Sequence, residues 1–412
     1  MMRMIVLLPL ACAAADWPAW RGADGMGVAD GPAAPTHWSR TEHVRWRAAL
    51  PEPGNSTPVV WGQRVFLTQA VKSEGRRTLM CFDRSSGKLL LQSGVTYTDP
   101  EPTHPTNPYA SASPVTDGKL VVAWFGSAGF AAYDLDGRQV WHRDLGKQRH
   151  TWGYGTSPVL DGDRVFLNFG PGERSFLIAL DKRSGKTLWQ VDAPAGKGDK
   201  FGNWSAEDMF GSWSTPLVIR SGGRDELIVS WPGKVAAFDP TTGRSLWTCE
   251  GMGNLVYPSP LFAGGIIVAM GGFSTPSLAV KTGGSGDVTS THRLWRLPRS
   301  KPLIGSGVIA ADRIYIVDNN GIAESLELQT GKTVWTNRLK GEGEDAGVWS
   351  SPVLQDGKIY VMNKSAEVFV FKAGSEFELL AKNSLGETTN SSVVISGGEI
   401  FLRTHAALWC IR

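Results

Sequence analysis

Paired cysteines, long apolar runs and a surplus of one charge are all missing from this chain of 412 residues. Its four cysteines stand alone at positions 12, 81, 249 and 410. Cys12 falls in the leader described below. Cys81, Cys249 and Cys410 are too few and too far apart for a disulfide framework or a metal cluster, so stability has to come from burial. Beyond the first residues no stretch is apolar and long enough to cross a bilayer as a helix. The formal net charge is +3 with no Lys/Arg block, which leaves nothing to attract nucleic acid or an anionic membrane surface. Seven histidines show no paired metal spacing, and no Gly-x-Ser-x-Gly elbow is found. Gly251-Met252-Gly253 and Gly283-Gly284-Ser285-Gly286 lack the strand-to-helix setting of a nucleotide loop and read as turns. Asp318-Asn319-Asn320-Gly321 carries an Asn-Gly hairpin signal without the downstream Glu of a calcium loop.

What the chain does have is 49 glycines, 24 prolines and 17 tryptophans, a composition of many turns and large packing rings that suits an all-β protein. Arg3, the apolar run Met4 to Leu10 and the small residues Ala13-Ala14-Ala15 read as a secretory signal over 1–15. The expected location is thus periplasmic or secreted. Cys12 is the alternative, as the site of a lipid anchor. Residues 16–40 form an N-terminal extension, and 41–412 form one repetitive domain.

The repeat opens with Ser/Thr-Pro and a small apolar strand, turns on Gly or Asp, and continues as a second strand. Ser56-Thr57-Pro58-Val59-Val60 leads to Arg64-Val65-Phe66-Leu67, and Thr156-Ser157-Pro158-Val159-Leu160 leads to Arg164-Val165-Phe166-Leu167. The opening returns at Ser113-Pro114, Thr215-Pro216, Ser259-Pro260 and Ser351-Pro352, with weaker copies at Ser306-Gly307 and Ser392-Val393. A third strand then ends near an acidic residue, followed by a Gly-Lys/Arg turn and a fourth strand marked by Trp, as in Asp181, Gly185-Lys186 and Trp189 or Asp239, Gly243-Arg244 and Trp247. Trp141 and Trp335 hold the same place, which Leu91 takes in the first copy. Eight openings spaced 41 to 58 residues apart imply eight four-stranded antiparallel blades packed radially in a β-propeller. The last copy ends after three strands, and His43-Val44-Arg45-Trp46-Arg47-Ala48 supplies the missing Trp strand. Joining the two chain ends in one blade would latch the ring.

The Ala-x-Asp-like third strand, Thr/Ser-Gly-Lys/Arg and Trp three residues on together resemble the repeat of the pyrroloquinoline quinone (PQQ) dehydrogenase-like propeller family. The opening Asp16-Trp17-Pro18-Ala19-Trp20-Arg21-Gly22 is also similar to exported members of it. The family includes PQQ-dependent alcohol dehydrogenases and non-catalytic propellers such as the lipoprotein of the outer-membrane barrel-assembly machinery. The dehydrogenases hold the quinone over the axial channel with calcium, use an Asp base, and carry adjacent cysteines or Cys-x-x-Cys-His. This chain has neither cysteine motif, and no residue of it matches the calcium ligands or the base. The resemblance therefore implies a binding or interaction scaffold closer to the non-catalytic members, with no cofactor required. A PQQ- and calcium-dependent alcohol or sugar dehydrogenase is the alternative.

The site is expected on the face where outer strands link to the next inner strands. Two such links are long, Gln92 to Ser113 and Gln190 to Thr215. The position three residues before each Pro anchor gives Asn55, Trp213, Tyr257 and Trp349, with Asn390 equivalent in the last copy. Trp152 and Tyr154 join them at the channel mouth, with His104, Asn107, Tyr109, His150, Glu207 and Asp345 nearby. Aromatic rings and amides suit a protein, small-molecule or glycan ligand, and the same residue types also serve to pack blade tops and tie down loops.

Overall fold

The computed structural model describes residues 16–412 apart from Ser274, Arg299, Ser300 and Pro302. The expected leader over 1–15, and Cys12 within it, lies outside the described residues. Eight sheets of four antiparallel strands follow one another along the chain. Blade 1 runs outward from the axis through Val59–Trp61, Arg64–Val71, Arg76–Asp83 and Leu89–Thr96. Blades 2 to 7 repeat the order, with inner strands at Val115–Thr116, Val159–Asp161, Leu217–Ser221, Leu261–Ala263, Val308–Ala310 and Val353–Gln355. Blade 8 takes three strands from the C-terminus, Val394–Ser396, Glu399–Arg403 and Ala407–Ile411, and its outer strand, Val44–Ala49, from the N-terminus. Val44 pairs with Ile411 and Ala49 with Ala407, so the ring closes as the incomplete last repeat implies.

The Ser/Thr of every opening has one job. The Thr57 amide donates to Ser113 Oγ at 2.9 Å, the Ser113 amide to Ser157 Oγ at 3.0 Å, and the series continues through Thr215, Ser259, Ser306, Ser351 and Ser392 until the Ser392 amide reaches Thr57 Oγ1 at 3.2 Å. Each buried N–H next to the axis is thereby satisfied by the hydroxyl of the following blade. This is why the two weaker copies lose proline yet keep serine.

At the rim, the outer-strand Trp of one blade lies on the turn Gly of the next. A Cβ on Gly87, Gly185, Gly243 or Gly331 would sit 2.6–2.9 Å from the ring of Trp46, Trp141, Trp189 or Trp295, and all four glycines hold φ between 68° and 72°. The indole N–H groups donate to carbonyls beside those turns, Trp46 to Arg84 at 2.8 Å and Trp141 to Lys182 at 2.7 Å. The acidic residue ending the third strand caps the same turn: Asp181 Oδ1 accepts from the Ser184 amide at 2.8 Å. Between blades, alternation divides each strand between two interfaces. Val65 and Leu67 pack towards blade 8 while Phe66 packs towards blade 2.

Blade 4 departs from the repeat. Gly283 to Gly286, expected as a turn, belongs to a lengthened connection in blade 5, where Gly286–Asp287 adds a fifth strand, parallel, to the outer edge of blade 4. Val288 is buried there, and Trp247 turns its N–H to Glu226 Oε2 of its own blade at 2.9 Å instead of to the neighbour. The three described cysteines are buried and unpaired. Burial pushes the Cys81 and Cys410 thiols up to about 12 and Cys249 up to about 11, which keeps them protonated and unreactive.

Residues 17–29 cross the axis on the face opposite the long loops. Trp17 exchanges backbone hydrogen bonds with Val60 of blade 1, and the Ala29 amide donates to Leu354 of blade 7 at 2.8 Å. Between these ends the buried Arg21 guanidinium donates to the carbonyls of Pro352 and Met26, at 3.1 and 2.8 Å. The propeller channel is thus bridged at one end.

Candidate functional site

An axial cavity of about 210 Å³ opens on the long-loop face. Its wall is the position three residues ahead of each inner-strand anchor, taken from all eight blades: Asn55, Ser111, Gly155, Trp213, Tyr257, Ile304, Trp349 and Asn390. Repetition explains this, since equivalent residues on equivalent strands must surround the axis at one height. Thr57, Ser157, Ser351 and Ser392 of the hydroxyl ring also line it. Trp20 lines both this cavity and a second one of about 310 Å³, so the crossing segment stands between them.

The two long loops build the mouth. Asn55 and Asn390 each donate an amide N–H to the Thr106 carbonyl, at 2.9 and 3.0 Å, bringing the loop from blade 1 to the axis. Asn107 donates to the carbonyls of Trp152 and Tyr154 at 2.6 and 2.9 Å. Trp152 then packs at a 40° tilt against both His104, 4.7 Å away, and Trp204, 4.2 Å away. Trp213 donates to the Gly153 carbonyl at 2.9 Å and packs against Tyr257 at 4.9 Å and His150 at 5.1 Å. Burial pushes the Tyr257 phenol up and the His150 imidazole down, so both are neutral at neutral pH. Phe273 lines the cavity, and exposed Phe201 meets it edge-on at 6.3 Å.

Of the residues singled out in the sequence, Asn55, Asn107, Trp152, Trp213, Tyr257, Trp349 and Asn390 line this cavity together. His104 adjoins it through Trp152. Tyr154 is buried in the core beneath the loop, and Tyr109 holds the loop down, with its ring 3.9 Å from the Arg77 guanidinium and its hydroxyl donating to the Glu101 carbonyl. His150 and Glu207 line a separate groove beside blade 3, where Glu207 is exposed and paired with Lys197 at 2.5 Å. Asp345 pairs with Lys364, whose ammonium lies 5.1 Å from the Trp349 ring. Sequence reasoning passed over Ser111, Gly155 and Ile304, although the same offset before Pro114, Pro158 and Gly307 points to them. Trp20 and Phe273 obey no repeat rule.

None of the described lining residues is charged. Calcium needs several oxygen ligands with carboxylates among them, and the carboxylates of a quinone need cations or amide donors. Asn55 and Asn390 each turn one amide N–H to the Thr106 carbonyl. The described cavity therefore does not fit PQQ with calcium.

The chain resembles known proteins along most of its length. It is 25% identical over 281 residues to "Outer membrane protein assembly factor BamB" of Shewanella oneidensis, a match covering 62% of this chain and 64% of that protein. BamB from Moraxella catarrhalis superposes with a TM-score of 0.60 at 15% identity, over 87% of this chain and 94% of that one. A quinohemoprotein alcohol dehydrogenase from Comamonas testosteroni gives 0.68 at 10% identity, over 97% and 81%. At such identities the two structures speak for the fold alone. A family model described as outer membrane protein assembly factor BamB matches residues 26–168 and 173–412, and the chain belongs to that family of PQQ-like propellers.

Proposed function

We propose that this chain is an exported, non-catalytic binding propeller of the cell envelope that engages its ligand or partner through the aromatic mouth of the axial cavity. One observation carries the reading: the described lining offers rings, amides and hydroxyls for contact but no carboxylate, imidazole or ammonium to move a proton. Rigid aromatic residues around a concavity are the usual anchors of binding sites. A relative named as an outer membrane protein assembly factor supports a place at the outer membrane and a protein partner there. The cavity itself is too small for a folded domain. A partner's loop or a small ligand would enter, while the long loops would meet the rest of the partner.

Fractionation and site-directed photo-crosslinking in the native host test this. A photoreactive residue at Phe201, on the mouth, should trap a discrete envelope partner, and one at Leu188, exposed on the outer strand of blade 3, should not. Cytoplasmic retention of the protein, or crosslinks from Leu188 alone, would contradict the proposal.

A further inference from the structure

Resting on that reading of the mouth, we infer that the axial cavity takes an uncharged saccharide, a mono- or disaccharide unit of a neutral glycan. Behind this stand its aromatic walls, its amides and hydroxyls, and its lack of charge. Trp152, Trp213, Tyr257, Trp349 and, from the crossing segment, Trp20 present aromatic surface to one small space. The C–H faces of a pyranose ring are apolar and slightly positive, and they lie favourably on the negative face of such rings. The rest of the described lining is largely amides and hydroxyls, among them Asn107, Asn319, Thr106 and Ser111.

Amides and hydroxyls without a charged partner select the ligand. A carboxylate or phosphate brings acceptors only and needs cations or several donors in return. A sugar hydroxyl donates and accepts at once, as the lining amides and hydroxyls do, while its ring covers the aromatic wall. No described lining side chain supplies a charge to hold an anion. At about 210 Å³ the space lies below the ~300–1,000 Å³ of drug-sized pockets, which limits the occupant to one or two sugar rings.

The test is titration of the purified protein with glucose, galactose, N-acetylglucosamine, maltose and cellobiose, read by calorimetry and by tryptophan fluorescence, with galacturonic acid as the charged comparison. At least one neutral sugar should bind saturably, with no dependence on salt and at least about tenfold more tightly than galacturonic acid. Trp152→Ala should weaken it about tenfold or more. Ile304→Trp, which puts a larger ring into the cavity from a wall position, should abolish it in a protein that still melts cooperatively. Absence of saturable binding for all five sugars up to about 50 mM, or tighter binding of galacturonic acid, would overturn the inference. Envelope crosslinks from Phe201 that persist in Ile304→Trp would leave the scaffold reading standing on its own; absence of any such crosslink in the otherwise wild-type protein would remove that reading instead.

Discussion

Replacing Trp46 with alanine attacks the ring where its two chain ends meet. Trp46 is 8% exposed, sits on the Gly87 turn of blade 1, and donates its indole N–H to the Arg84 carbonyl at 2.8 Å. It belongs to the strand Val44–Ala49, which has one neighbour in its sheet and completes blade 8 from the N-terminal side. Truncating a buried Trp costs about 3–5 kcal/mol, the hydrogen bond included. With an unfolding entropy of ~2.1 cal/mol/K per residue over about 390 described residues, that loss lowers the melting temperature by ~4–6 °C. Differential scanning calorimetry reads the shift. Trp141→Ala, equally buried in blade 2 with its N–H on Lys182, is the control for a lost ring that leaves the chain ends joined. Both variants should melt lower, and Trp46→Ala alone should become sensitive to protease between residues 40 and 50. A Trp46→Ala protein melting within about one degree of wild type would refute closure by this strand.

Three further outcomes follow from the same geometry. Ser259→Ala removes the acceptor of the Thr215 amide and should cost about 1–3 kcal/mol in chemical denaturation, with no loss if the ring were incidental. Gly185→Ala places a Cβ 2.8 Å from Trp141 at φ 68° and should destabilise far more than Gly162→Ala, also at positive φ but with nothing within 4 Å; equal effects would show that backbone conformation alone matters. Burial holds the His150 imidazole below its ordinary value, so its contribution to stability is complete above the unfolded pKa of ~6.5 and is lost as pH falls through the folded one. Burial raises the Glu101 carboxyl, which acts in the opposite sense, so the quantity to follow is the stability gap between wild type and His150→Gln. That gap should narrow from about pH 7.5 to 5.5, and a constant gap would contradict a buried neutral His150.

The fold was legible because the residues that hold the ring together are the ones that repeat. Ser306 and Ser392 identify their blades without proline because the hydroxyl, not the pyrrolidine, bonds to the preceding blade. The turn Gly and the outer Trp recur because each is the other's packing partner across a blade boundary. Non-repeating chain was less legible. Nothing in Asp16 to Ala29 announces a segment across the axis, because its partners are backbone carbonyls on blades far away in sequence. The fifth strand of blade 4 is likewise hidden in a glycine-rich stretch. At the cavity, the repeat offset found Asn55, Trp213, Tyr257, Trp349 and Asn390 by residue type and passed over Ser111, Gly155 and Ile304, which share their positions without sharing their chemistry. His150 lies in the link between blades 2 and 3 and Glu207 in the long link after blade 3; no repeat dictates the course of either, and both end at the side groove.

The most direct test of a binding propeller without quinone chemistry is calorimetric titration of the purified protein with PQQ in the presence of calcium. The uncharged described lining predicts no saturable heat in wild type or in Trp213→Ala. Saturable binding in wild type that disappears in Trp213→Ala would put the quinone in the axial cavity and contradict the account.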